Sequence, residues 1–173
     1  SQRLFINANI YSAVDHGKPL SGKDQGNLQN FSKGALLVKG GMISAVGNQS
    51  DIMAQVSDKE EYEQIDVQGN CLIPGFVDPH THMCFAGRRE SEFELRISGT
   101  PYLEILKQGG GILSSVKSVA RASEGDLLEM TRKHAMTALR NGTTSVEIKS
   151  GYGLDTENEL KMLKVIGTLA DEG

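Results

Sequence analysis

Short apolar runs broken by glycines dominate the first part of the chain, and apolar residues at helical spacing dominate the last. Leu4-Phe5-Ile6 opens a strand, ahead of a polar, glycine-containing stretch at 17–26 that reads as an exposed excursion. Ala35-Leu36-Leu37-Val38 and Met42-Ile43-Ser44-Ala45-Val46 are joined by Lys39-Gly40-Gly41. Glycine supplies the positive φ that a tight turn demands, so this pattern predicts a β-hairpin. Residues 51–63 are polar and carry no strand signal. Gln64-Ile65-Asp66-Val67 and Cys71-Leu72-Ile73 then predict a strand pair around Gly69-Asn70.

The pattern changes after Pro74-Gly75. Phe76-Val77 is a short buried-type run that ends in Asp78-Pro79-His80-Thr81-His82. Ser123 with Asp126 three residues on predicts a helix start, with Leu127, Thr131, Ala135 and Ala138 on one face until Asn141-Gly142. Thr143-Thr144-Ser145-Val146-Glu147-Ile148 is a β-branched strand. Thr156 with Glu159 predicts a second capped helix, with Leu160, Leu163, Ile166 and Ala170 as its apolar stripe. Between the two strands lies a long stretch holding a short helix at 101–106 and the Gly109-Gly110-Gly111 turn. Strand, long excursion with helix, strand, helix is a βαβα order, which argues for parallel strands with helical crossovers. The expected architecture is α/β: a small N-terminal β domain over 1–72, then two βα units over 73–173. A (β/α) barrel takes roughly 250 residues, so two units are only its opening.

Composition narrows the function classes. Lys and Arg total 18 against 22 Asp and Glu, a formal net charge of -4, which argues against a broad basic face for nucleic acid or anionic lipid. No apolar run approaches the ~20 residues that cross a bilayer. The N-terminal residues show no secretory h-region, so a cytoplasmic protein is the expectation. Cys71 and Cys84 form neither a disulfide framework nor a C-x-x-C motif, and read as small buried hydrophobes.

His80-Thr81-His82 is the strongest local chemistry. On a strand, residues i and i+2 point to one face, so both imidazoles can reach one ion. Imidazole nitrogen suits zinc and other first-row metals. The competing reading is a structural His pair. Zinc wants three or four protein ligands. His134, inside the capped helix, reads as a packed histidine and His16 as a loop residue, so further ligands are expected beyond Gly173. Arg88-Arg89-Glu90 follows the strand end, and a planar bidentate guanidinium there could clamp a substrate carboxylate. No Gly-Lys-Ser/Thr follows Gly109-Gly110-Gly111, which excludes a P-loop. Tyr152, between two glycines after the second strand, is held on a turn at the rim where barrel enzymes gather their functional side chains.

Leu72-Ile73-Pro74-Gly75-Phe76-Val77-Asp78-Pro79-His80-Thr81-His82 resembles the first-strand signature of the amidohydrolase superfamily. Residues 34–47 are similar to its N-terminal β domain. More specifically, Phe85-Ala86-Gly87-Arg88-Arg89-Glu90-Ser91-Glu92-Phe93, Gly109-Gly110-Gly111-Ile112 and Glu147-Ile148-Lys149-Ser150-Gly151-Tyr152-Gly153-Leu154 resemble the imidazolonepropionase family. Arg88 stands where that family commonly has Asp or Asn.

The resemblance implies a (β/α)8 TIM-like metal-dependent hydrolase barrel preceded by a small β-sandwich domain, here truncated. It implies hydrolysis of 4-imidazolone-5-propanoate to N-formimidoyl-L-glutamate in histidine catabolism. His80 and His82 would be ligands of one divalent metal, zinc or iron. Arg89 would hold the propanoate, and Tyr152 and Tyr102 would contact substrate. The general base and remaining ligands would lie beyond Gly173, so the 173 residues alone are expected to be inactive. Expected partners are the small-molecule substrate and a second copy in a homodimer, with neither nucleic acid nor membrane. The rival readings are a nucleobase-type deaminase sharing the His pair and a non-catalytic binding domain.

Overall fold

The computed structural model describes residues 2–56 and 61–172, so residues 57–60 of the polar 51–63 stretch lie outside the described residues. The chain divides into two compact units, Ser1–Pro74 and Gly75–Gly173.

The first unit is built on one long strand, β1 (Gln2–Ala13). Leu4, Ile6, Ala8 and Ile10 alternate inward along it, the period-2 signature of a half-buried strand. It pairs antiparallel with β2 (Leu28–Lys39), which pairs in turn with β3 (Met42–Asn48). The β2–β3 turn is the expected hairpin: Gly40 and Gly41 have φ of 59° and 81°, the conformation that a two-residue turn between twisted strands requires. The 17–26 excursion is exposed, ends in a short 3-10 turn at Gly22–Gly26 and connects β1 to β2. A short helix, α1 (Gln49–Met53), follows β3 and places Ile52 against Leu4, Ile6, Ala35 and Leu37.

Three expectations for this unit need correction. The strands β4 (Glu63–Asp66) and β5 (Cys71–Leu72) do not pair with each other. Both lie parallel to β1, β4 beside Arg3 to Ile6 and β5 beside Asn9 and Ile10. Between those stretches Asn7 has a φ of 54°, and its backbone N–H is taken by the Gln49 side chain, so the ladder is interrupted there. One edge of β1 thus serves two short strands in succession. The described residues of this unit consequently form a single five-stranded sheet rather than the two layers of a sandwich. Cys71 is also exposed, on an edge strand, while Cys84 is buried as a small apolar residue.

In the second unit, β6 (Phe76–Thr81) and β7 (Thr143–Ile148) pair in parallel, as the βαβα order predicts. Gly75, just before β6, has no room for a side chain, since a Cβ would fall 2.0 Å from the Thr144 hydroxyl. The excursion between the strands holds four helices: α2 (Glu90–Ile97), α3 (Tyr102–Lys107), α4 (Ile112–Arg121) and α5 (Glu124–Arg140). The Ser123 side chain caps α5 by accepting from the Asp126 N–H, as its spacing predicts. After β7, α6 runs Thr156–Asp171. Its cap is Asp155 rather than Thr156, because the Asp155 carboxylate reaches the Asn158 N–H. Its buried face is Met162 and Val165, not the predicted stripe, for Leu160 and Leu163 are exposed. The core joins Cys84 and Ala86 after β6, Val119 of α4, Leu127 of α5, and Met162 and Val165 of α6. The residues just past the β6 end are therefore held from three helices.

Candidate functional site

The ends of β6 and β7 are locked in register. The Thr81 hydroxyl donates to the Glu147 carbonyl at 2.8 Å, and the Lys149 N–H donates to the Thr81 carbonyl at 2.8 Å. Thr81 points into the strand pair, which leaves His80 and His82 on the opposite side of the alternation. Their ring centres lie 5.3 Å apart. Two imidazoles binding one tetrahedral ion at about 2.0–2.1 Å hold their centres roughly 5 Å apart, so the pair has the spacing of two ligands of one metal. His82 Nδ1 is buried and has no hydrogen-bond partner among the described residues. An unsatisfied buried ring nitrogen is costly in a purely structural histidine, and together with the spacing it fits a metal-binding role. No cluster of three or more His, Cys, Asp or Glu side chains forms a metal cage among the described residues.

Beside the pair, Glu147 and Lys149 form an ion pair on the β7 end. The Lys149 ammonium, by hydrogen bond and by charge, holds the Glu147 carboxyl below its ordinary 4.5, and the nearby His80 adds to the effect. Next along, Tyr152 stands edge-on to His82 with ring centres 5.8 Å apart, and edge-on to Phe85 at 6.3 Å. Gly151 makes the approach possible: its φ is 135°, and a Cβ there would lie 3.2 Å from the His82 ring.

Tyr152 and Phe85 open onto a recess of about 360 Å³ that is also lined by Arg88, Arg89 and the buried Ser115. The structure thus brings Arg89 and Tyr152 to one recess. Arg88 shares it, but its side chain is the more exposed, 73% against 42% for Arg89. Arg89 lies 4.0 Å from Glu92. Tyr102 is placed elsewhere, at the start of α3 beside Gly111.

The sequence gives no sign of what two carboxylates do in holding the loops of this site, Glu159 reading only as a capping partner of Thr156. Glu92 Oε1 accepts from the Gly111 N–H at 3.0 Å, which makes the triple-glycine segment a tied turn. Glu159 Oε1 accepts from the Gly153 and Leu154 N–H groups at 2.7 and 2.8 Å. Both partners are backbone amides, which leave no mark in a sequence. His134 is half-buried behind Phe85, and His16 is exposed.

No family model matches the chain. Individual relatives match along nearly all of this chain. The chain is 58% identical over 170 residues to an imidazolonepropionase of Desulfotalea psychrophila, a match covering 98% of this chain and 41% of that protein. The chain is related to the imidazolonepropionases. An imidazolonepropionase of Syntrophobacter fumaroxidans is 55% identical over 99% of the chain and 41% of its own length. That of Colwellia psychrerythraea is 44% identical over 99% of the chain. The chain therefore spans about two fifths of the imidazolonepropionases it matches.

Solved structures supply the fold. A guanine deaminase of E. coli superposes with a TM-score of 0.66 at 18% identity, over 99% of this chain and 34% of that one. A metal-dependent hydrolase from Pyrococcus furiosus gives 0.58 at 14% identity, over 48% of its length. At such identities the likeness is one of fold alone.

Proposed function

We propose that this chain is the first part of an imidazolonepropionase, which opens the ring of 4-imidazolone-5-propanoate with water to give N-formimidoyl-L-glutamate in histidine catabolism. The observation that carries the reading is the 58% identity to a curated imidazolonepropionase across 98% of the chain. The geometry agrees with it, since a paired-histidine strand end adjoins a recess with two arginines and a tyrosine.

In this reading, residues 1–72 form the small N-terminal β domain, and residues 73–173 supply the first two βα units of a (β/α)8 barrel. His80 and His82 hold one divalent zinc or iron ion. Such an ion supplies Lewis acidity, which renders water nucleophilic toward the ring carbonyl near neutral pH. Arg89 binds the propanoate carboxylate as a fork-shaped donor, placing the ring toward the strand ends. The Tyr152 hydroxyl contacts the substrate in the same recess, and Phe85 lends the lining an apolar surface beside it. Tyr102, outside the recess lining, is a weaker contact. The general base is contributed by later strands. No helix among the described residues is long and apolar enough to cross a membrane. A cytoplasmic homodimer acting on a small molecule completes the reading.

The test is turnover by the full-length protein. Hydrolysis of imidazolone propanoate, with guanine left unchanged, supports the assignment. Deamination of guanine without ring opening of imidazolone propanoate refutes it.

A further inference from the structure

Two carboxylates at the start of α6, the Asp155 cap and Glu159, divide the work of holding the chain before it. Asp155 takes the helix terminus, accepting from the Asn158 N–H at 2.8 Å and from the Asn158 side-chain amide at 2.7 Å. Glu159, one turn further, folds back instead. Its Oε1 accepts both the Gly153 and the Leu154 N–H, at 2.7 and 2.8 Å.

The segment it reaches is poorly suited to hold itself. Leu154 has a φ of 57°, a left-handed conformation that a leucine rarely adopts. Gly153 lies so close to α6 that a Cβ would fall 2.5 Å from the Glu159 nitrogen. Such a conformation persists only where neighbouring structure over-determines it. Glu159 supplies two charge-assisted hydrogen bonds for that purpose. Tyr152, in the same segment, stands edge-on to both His82 and Phe85.

We propose that Glu159 is a positioning residue for substrate binding: its carboxylate fixes the 150–154 turn so that Tyr152 is presented between His82 and the recess that Arg89 lines. The inference rests on reading Tyr152 as a substrate contact. It adds a residue that never touches substrate and acts from the helix behind the turn.

The experiment uses the full-length, metal-loaded protein with 4-imidazolone-5-propanoate. Glu159→Ala should raise KM about tenfold or more, with kcat within about threefold and metal content unchanged. Glu159→Gln keeps an acceptor oxygen and should restore KM to within about threefold of the parent. In a Tyr152→Ala background, Glu159→Ala should add less than about twofold, because its effect passes through the tyrosine. Independent effects of the two substitutions would overturn the proposal, as would an unchanged KM in Glu159→Ala.

Hydrogen exchange at the Gly153 and Leu154 amides gives a readout independent of turnover. Protection should fall in Glu159→Ala and survive in Glu159→Gln. If Glu159→Ala does not fold, Glu159→Met keeps the side-chain length without the acceptor, and full amide protection in it overturns the proposal. A parent protein that ignores imidazolone propanoate would refute the assigned activity, while the exchange measurement would still decide whether Glu159 holds the turn.

Discussion

His134 lies flat against Phe85, with ring centres 4.4 Å apart and planes 17° from parallel. A second attachment fixes the imidazole, since its Nδ1 is 2.8 Å from the Met83 carbonyl oxygen. The histidine of α5 thereby ties down the chain just past β6, on which Phe85 faces Tyr152. Its role is packing, and substitution should show this as stability. His134→Ala removes a hydrogen bond and a stacked pair, about 2 kcal/mol together. Urea unfolding should register that loss while elemental analysis finds the metal content unchanged. Loss of metal from this variant would make His134 a ligand instead.

His80 and His82 should behave in the opposite way. Replacing both by Ala in the full-length protein should remove the bound zinc or iron and abolish turnover. Elemental analysis after gel filtration checks it. Stoichiometric metal in the double variant would return the pair to a structural role.

Arg89 and Arg88 line the same recess, but only Arg89 is placed by the resemblance to clamp the substrate carboxylate. Arg89→Ala should lower kcat/KM by the equivalent of about 2–5 kcal/mol, chiefly through KM, if the carboxylate pair is desolvated on binding. Arg88→Ala should change it far less. Steady-state kinetics of the two variants decides between them, and the reverse order would move the clamp to Arg88.

Two glycines of the last segment should respond to alanine with opposite signs. Gly153→Ala would drive a Cβ into the α6 backbone, 2.7 Å from the Asn158 carbonyl carbon, and overpacking of this kind costs about 1–3 kcal/mol. Gly167 sits within α6, and a methyl group added there would meet nothing within 4 Å. Gly167→Ala should therefore stabilise by about 0.5–1 kcal/mol through helix propensity. Thermal unfolding of both variants provides the comparison.

The 150–155 turn should loosen in acid. Backbone and side-chain hydrogen bonds from Asn158 hold the Asp155 carboxyl below its ordinary 3.8. Burial opposes ionisation of Glu159, but hydrogen bonds from Ser150, Leu154, Gly153 and Gly151 outweigh it and keep that carboxyl below 4.5. For carboxyls depressed by folding, the stabilisation is complete above the unfolded-state values and is lost as pH falls through the folded-state ones. Amide protection at Gly153, Leu154 and Asn158 should therefore hold at about pH 6 and decline below about pH 4. Unchanged protection down to about pH 2 would show that these carboxylates do not secure the turn.

Much of the second unit is legible in the sequence because its signals are local. The β-branched run Thr143–Ile148 and the Ser123 cap each depend on residues within one turn or one strand. The first-strand histidines are legible for the same reason, since strand alternation alone puts i and i+2 together. What escapes depends on distant partners. Helix α2 has no buried residue and no capping side chain. Helix α4 is an exception, since Ile112, Val116 and Val119 recur at helical spacing although a glycine stands in place of a capping side chain. The α6 stripe differs from the periodic one because Met162 and Val165 are chosen by the core around Cys84, which periodicity alone does not identify. Glu92 looks like an ordinary surface acid, and Glu159 like the capping partner of Thr156, until the backbone amides they accept from are in view.

The two-sided use of β1 also bears on the order in which the first unit assembles. Its antiparallel partner is reached through one connection, and the β2–β3 hairpin closes over two glycines. Its other edge waits for residues some sixty positions away, Arg3 pairing with Glu63 and Asn9 with Cys71. Closing a long loop costs chain entropy before any contact repays it, and non-local pairing is correspondingly slow. During synthesis the three-stranded meander can therefore form first, with one edge of β1 unsatisfied until the strand that leads into the histidine pair is nearly made. The last strand of the sheet is thus the one made just before β6, so the first unit's sheet is complete in sequence only where the second unit begins.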